Sequence, residues 1–227
     1  MKNYIFLAFL ALICIASSFC IFCEKYGLKK KLRYGIPSVL ISGIMFLLWD
    51  IRFTQMGVWN YHTNFTMGIF YKGLPLEQWL FYLVFPLAGW VVYEMVKTRF
   101  GTLDLGTVFT AVGLLMVAGL AVAAYLYRNQ AYTFSVSLFT AVYLGYTIFR
   151  KQFQSHITHF FLTYIVLLVP YFLLNGMLSW NLVIEYHQEQ VINIRVWMMP
   201  VENSVFLFLL MLIGCTVYEY FSERRSF

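Results

Sequence analysis

Glu77 stands two residues behind Pro75, at the head of an apolar run that reaches Val96. A second copy of this arrangement, Pro200-Val201-Glu202, opens another apolar run near the C-terminus. A carboxyl in the first turn of a helix can meet free N–H groups and the favourable end of the helix dipole. Buried in an apolar site it can instead hold a proton, because desolvation disfavours its charged form. Two such groups in one cavity can share a proton, since like charges resist double ionisation.

Other titratable residues fit weaker roles. Asp50 closes an apolar run, where it serves either as a functional acid or as an interfacial anchor. Glu94 and Glu219 stand beside Lys97 and Arg224, which suits ion pairs at the membrane boundary. His62 and His187 with Glu77 and Glu202 have the ligand count of a divalent metal site. Their spacing matches no local metal motif, and a proton relay or interfacial hydrogen bond is expected instead of a metal. There is no Gly-rich strand-to-helix fingerprint for a dinucleotide and no Asp-rich cluster for magnesium diphosphate, so no cofactor is expected. Cys20-Ile21-Phe22-Cys23 has the Cys-x-x-Cys spacing, but no second pair accompanies it, and the four cysteines lie in or beside apolar segments and read as small residues there.

The elements that must position these groups follow from composition. The chain has 227 residues, of which 61% are hydrophobic, 20% aromatic and 11% charged, more apolar surface than one soluble core can bury. That predicts an all-α, multi-pass membrane protein. Its formal charge of +6 sits in short clusters between apolar runs, which excludes nucleic acid as a partner. Spans are expected near residues 4–22, 36–49, 75–96, 105–127, 132–149, 159–180 and 200–221, seven helices in all. The first also resembles a cleavable signal peptide, but its length and its counterpart later in the chain favour retention. Between spans, the stretches 51–74 and 181–199 mix aromatic and polar residues and suit interfacial or re-entrant loops. With the N-terminus outside, 11 of the 16 basic residues fall on the inner side, from Lys25 to Arg33, at Lys97, Arg99, Arg150 and Lys151, and at Arg224 and Arg225. The expectation is an N-out, C-in protein of a bacterial cytoplasmic membrane.

Shifting the sequence by 125 positions (200 minus 75) lays Pro75, Glu77, Phe81, Leu87, Gly89, Val92, Tyr93 and Glu94 on Pro200, Glu202, Phe206, Leu212, Gly214, Val217, Tyr218 and Glu219. These are 8 identities in 20 positions, where composition gives about one or two. The same shift lays Tyr61-His62 on Tyr186-His187 and Asp50 on Asn175. Two three-helix repeats are expected, residues 1–100 and 128–227, joined by a connecting helix in 101–127. One extra crossing restores the starting orientation, so the repeats run parallel about an axis along the membrane normal.

Trp49-Asp50, Gly57-Val58-Trp59, Gly73-Leu74-Pro75-Leu76-Glu77 and Pro200-Val201-Glu202 together resemble the lycopene cyclase domain family, in its fused tandem form. That family usually carries a second acid after the motif glutamate, where this chain has the neutral Gln78 and Asn203. The resemblance implies a carotenoid end-group cyclase, an isomerase of the intramolecular lyase type, acting on lycopene or a similar linear carotenoid. An acid protonates the terminal double bond, a second double bond attacks the cation, and a proton leaves without redox change. An alkene is a poor base, so the acid must be a protonated carboxyl in an apolar site. Glu77 and Glu202 are expected as acid and base in undetermined order, with Asp50 third. Trp49, Trp59, Tyr61, Trp79, Phe81, Tyr186 and Phe206 are expected to shield the cation, with Gln78, Asn175 and Asn203 as polar neighbours. Other carotenoid-pathway enzymes are the expected protein partners. The alternatives are a cyclase of another isoprenoid and a non-catalytic transporter or lipid-binding membrane protein.

Overall fold

A computed structural model describes residues 4–62, 66–180, 183–192, 194–196 and 199–223. Arg224 and Arg225 of the charge count lie outside the described residues. Seven α-helices dominate: α1 (Ile5–Phe22), α2 (Leu28–Gln55), α3 (Leu76–Arg99), α4 (Gly106–Leu126), α5 (Ala131–Phe149), α6 (Ile157–Trp180) and α7 (Glu202–Glu223). The chain is long and apolar enough to cross a membrane in six of them, and α1 contributes a shorter apolar helix. In hydrocarbon a backbone has to satisfy its own hydrogen bonds, which a helix does within one segment. The protein is an all-α, multi-pass membrane protein.

One helix departs from expectation in a way that bears on function. The hydropathy of the second span fades at Asp50, yet α2 continues past it for more than a turn to Gln55. Hydropathy registers only the apolar middle of a helix; nothing in Ile51-Arg52-Phe53-Thr54 breaks one. Asp50 therefore lies inside the bundle and is 1% exposed.

Short strands close the end of the bundle near Asp50. β1 (Trp59–Tyr61), β2 (Phe70–Tyr71) and β3 (Leu74–Pro75) come from the first half, β4 (Ile184–Tyr186), β5 (Arg195–Val196) and β6 (Met199–Pro200) from the second. β2 pairs antiparallel with β3, and β5 with β6, so that Phe70 opposite Pro75 is repeated as Arg195 opposite Pro200. β1 pairs antiparallel with β4 across the halves, Asn60 opposite Glu185. The amide of His62 donates to the Val183 carbonyl at 3.0 Å, and that of His187 to the Val58 carbonyl at 3.0 Å. Each pair of contacts maps onto the other under the 125-residue shift, so the two halves exchange places about one local axis.

In the bundle α2 packs on both α3 and α7, α6 packs on α3, and α4 lies outermost against α5. Where α2 crosses α3, a Cβ added to Gly43 would stand 2.1 Å from the Tyr82 carbonyl oxygen. A backbone atom cannot step aside as a flexible side chain can. Gly43→Ala should therefore push α2 off α3 and cost about 1–3 kcal/mol, read as a lower unfolding temperature in detergent; an unchanged temperature would show that the two helices slide freely.

The opposite end of the bundle holds a buried charge network. Lys97 Nζ lies 2.6 Å from Glu219 and 3.8 Å from Glu94, which are shift mates. Lys31 also pairs with Glu94, and its own mate His156 lies 3.6 Å from Glu219. Paired cations offset the desolvation of both carboxylates. These are the ion pairs expected with Lys97; Arg224 lies outside the described residues.

Candidate active site

At the strand end the two halves enclose one small cavity, with about 40 Å³ of room for the centres of water molecules. Among the described residues, Asp50 is the one carboxyl that lines it. Its carboxyl group receives donors from three elements. Trp59 on β1 donates its indole N–H to Oδ1 at 2.8 Å, and Tyr61 donates its hydroxyl to Oδ2 at 3.1 Å. On α3, Gln78 donates to Oδ2 at 2.7 Å and Tyr82 at 2.9 Å. These two residues are four apart, so one helix face presents both. Thr54, one turn along α2, adds a hydroxyl at 3.3 Å from Oδ1.

The second half faces this cluster with neutral groups. Asn203 donates to the Tyr186 hydroxyl at 2.7 Å and accepts from the Tyr132 hydroxyl at 2.9 Å. Asn175, the mate of Asp50, donates to the Tyr171 carbonyl at 3.2 Å. Burial, and then the charge of Asp50, push the Tyr61 phenol well above its ordinary value. Burial pushes the Tyr186 phenol up as well. Both phenols therefore stay neutral and able to donate. The remaining wall is mostly apolar, with Phe6, Phe81, Ile184 and Phe206. The Trp59 and Tyr132 rings meet edge to face at 4.9 Å.

The cavity thus brings together Asp50, Trp59, Tyr61, Gln78, Phe81, Asn175, Tyr186, Asn203 and Phe206 among the expected residues. Four others lie elsewhere. Trp79 packs on Tyr71 at 5.3 Å between ring centroids. Trp49 packs on the outer side of Phe206 at 5.6 Å. Glu77 and Glu202, 1% and 2% exposed, do not line the cavity. Glu77 Oε1 accepts the Met67 amide at 2.7 Å. Glu202 Oε1 accepts the Ile192 amide and the Thr133 hydroxyl, each at 2.6 Å. Met67 and Ile192 are themselves shift mates, so both glutamates hold the same point of equivalent loops rather than the N–H groups of their own helices. Among the described residues, the second oxygen of each is buried without a hydrogen-bond partner. His62 and His187 face Glu185 at 2.9 Å and Asn60 at 3.1 Å across β1 and β4, not the two glutamates.

Tyr82, Tyr132 and Tyr171 line the cavity and were not singled out from the sequence. For Tyr82 a signal existed, its i+4 spacing from Gln78. Tyr132 and Tyr171 fall on Leu7 and Phe46 under the shift, so the repeat hides them.

Comparison with known proteins agrees with this architecture. The family profile described as lycopene cyclase matches residues 2–96 and again residues 129–221. No curated protein and no solved structure matches the chain. The two matched segments together cover most of the chain, and their ends lie 125 residues apart (221 minus 96), the interval that relates the strand pairs and the loop-holding glutamates. On that ground the chain belongs to the lycopene cyclase family, and its general role is that of a carotenoid cyclase.

Proposed function

We propose that the protein closes rings on the end groups of a linear carotenoid such as lycopene, as a redox-neutral isomerase, at one cavity centred on Asp50. The observation that carries this reading is a buried carboxyl ringed by preorganised donors and aromatic faces. In the proposed reaction the Asp50 carboxyl gives its proton to the terminal double bond. The neighbouring double bond attacks the resulting tertiary cation and forms the ring bond. The ring cation then loses a proton to the Asp50 carboxylate, so substrate and product are isomers and the acid is regenerated.

The surroundings suit each stage. Trp59, Tyr61, Gln78 and Tyr82 stabilise the anion left when the proton departs, without reorganisation at that moment. When Asp50 is protonated, one partner has to accept instead of donate. A tyrosine hydroxyl can do so by rotating, and Gln78 by turning its amide carbonyl inward. The second acid that the family usually carries at position 78 would as an anion offer no hydrogen at all. The rings of Trp59, Tyr132, Phe81 and Phe206 present π faces to a passing cation and exclude water. Glu77 and Glu202 are assigned to holding the loops over this cavity. Residues 1–100 and 128–227 act as its two half-shells, with 101–127 as connector. The strand end faces outward and the basic end faces the cytoplasm, with both termini placed as the charge count implies.

The test is expression in a lycopene-accumulating bacterium with identification of the pigments. Ring-bearing carotenoids at the expense of lycopene are expected. Unchanged lycopene, with the protein present in the membrane fraction, would sink the reading.

A further inference from the structure

Resting on that cyclase reading, we infer that the seam between α2 and α5, floored by α7, admits a linear isoprenoid sideways from the bilayer and holds its polyene tail. The Trp49 and Phe139 rings form the gate between this seam and the Asp50 cavity. The need for such a site follows from size. The cavity has room for only a few waters, about one per 10–15 Å³ of such space. An end group that enters must displace part of the wall, and the rest of a long apolar chain has to lie outside it, in contact with hydrocarbon.

One layer of rings stands at the right place. Phe206 lines the cavity, Trp49 packs on Phe206 at 5.6 Å, and Phe139 packs edge-on against Trp49 at 5.3 Å. Phe139 is 53% exposed, so its other side meets the bilayer. Further along the same three helices lies a groove of about 710 Å³, bounded by Ile41 of α2, Tyr143 and Tyr146 of α5, and Val217 and Tyr220 of α7. The cavity and the groove share helix faces. Tyr132, Phe139, Tyr143 and Tyr146 follow one another at steps of seven, four and three on α5, and Phe206, Ile213, Val217 and Tyr220 do the same on α7. Those steps hold one face of an α-helix, and each stripe runs about 21 Å at 1.5 Å per residue. Tyrosine faces along such a track suit a flat polyene. The groove ends at Arg150, Glu219 and Glu223, a charged mouth at which an apolar tail stops.

The seam on the other side is built differently. The shift mates of Trp49 and Phe139 are Leu174 and Cys14, neither aromatic, and Leu174 is 1% exposed. The repeat is thus broken in the same sense twice, at the carboxyl of Asp50 on α2 and at the ring gate between Trp49 of α2 and Phe139 of α5. A single portal leads to a single acid.

Paired substitutions related by the repeat test this. Val217→Trp fills the groove, and Val92→Trp puts the same bulk at the equivalent place in the other half. Each variant, purified in lipid nanodiscs, is incubated with lycopene-loaded vesicles, and the bound pigment is read by absorbance. Val217→Trp should retain at least tenfold less lycopene than wild type, while Val92→Trp stays within twofold. Equal retention in the two variants overturns the portal. Phe139→Ala, which removes half of the gate without adding bulk, should raise the uptake rate several-fold; an unchanged rate also overturns it. Ring formation is followed in the same samples. Wild-type protein that binds lycopene through this seam without cyclising it would defeat the cyclase reading and leave the portal standing.

Discussion

Replacing Asp50 by Asn should abolish ring formation, with a loss of at least about 100-fold in conversion rate, the range in which a general acid–base group acts. The change is nearly isosteric and removes the transferable proton. It also mismatches the donor set. Oδ2 accepts from Gln78, Tyr82 and Tyr61, while Oδ1 accepts from Trp59 and lies within reach of Thr54. An amide nitrogen at either position meets hydrogens where it needs acceptors. The phenols and the Gln78 amide can reorient; the Trp59 indole is donor-only, so the Asn carbonyl should take the Oδ1 position. Some stability is lost as well, about 1–3 kcal/mol per buried group left without a partner. Conversion should therefore be compared at equal amounts of folded membrane protein, judged by unfolding temperature and elution profile. Asp50→Glu, which keeps the proton but pushes the longer side chain into a tight cavity, should retain measurable activity. If Asp50→Asn forms rings at the wild-type rate, the acid lies elsewhere and the assignment fails.

The sequence carried the frame of the molecule in two signals of different kinds. Hydropathy located the helices, because seven apolar segments have no alternative in a bilayer. The 125-residue shift located their symmetry, and the strand pairs Phe70–Pro75 and Arg195–Pro200 obey it residue by residue. The cavity was legible in part. Nine of the named side chains meet there, because aromatic and amide residues beside the Pro-x-Glu segments lie on the strands and helix starts that close the bundle. The ranking of the acids that we propose, with Asp50 ahead of the two glutamates, was less legible, for a physical reason. An internal repeat gives weight to what the halves share, and what they share here is the pair of loop-holding carboxyls. A pocket formed once, on the axis between two halves, takes its chemistry from where they differ. Asp50 against Asn175 is such a difference, as is Trp49 against Leu174. Hydropathy compounded this by ending the second span at Asp50, when α2 runs on to Gln55 and buries that residue among donors from β1, α3 and α2 itself. Tyr132 and Tyr171 could not be found by either signal, since only the packing of α5 and α6 against the first half brings them to Asp50.

Glu77 and Glu202 offer the sharper contrast, because glutamine and alanine separate their two possible roles. A glutamine keeps a carbonyl oxygen where Oε1 accepts the loop amide, at 2.7 Å from Met67 N and 2.6 Å from Ile192 N, but it has no proton to give. Glu77→Gln and Glu202→Gln should accordingly keep ring formation within about tenfold of wild type, far above Asp50→Asn, whose loss is set by the acid–base range. Alanine removes the acceptor. Each alanine change should cost about 1–3 kcal/mol, the scale of a hydrogen bond to a charged or buried group. Glu202→Ala should be the more damaging, since its Oε1 also takes the Thr133 hydroxyl at 2.6 Å and so ties α5 to α7. With both loops loosened, the Glu77→Ala/Glu202→Ala double variant should lose ring formation altogether as water reaches the cavity. Amide hydrogen exchange gives the structural readout: protection at Met67 and Ile192 should survive the glutamine changes and fall sharply with alanine. The opposite pattern is equally decisive. A glutamine variant that keeps its loop protection yet is as inactive as Asp50→Asn would mean that the buried second oxygen of that glutamate carries the reacting proton. The acid role would then pass from the unpaired Asp50 to the repeated pair.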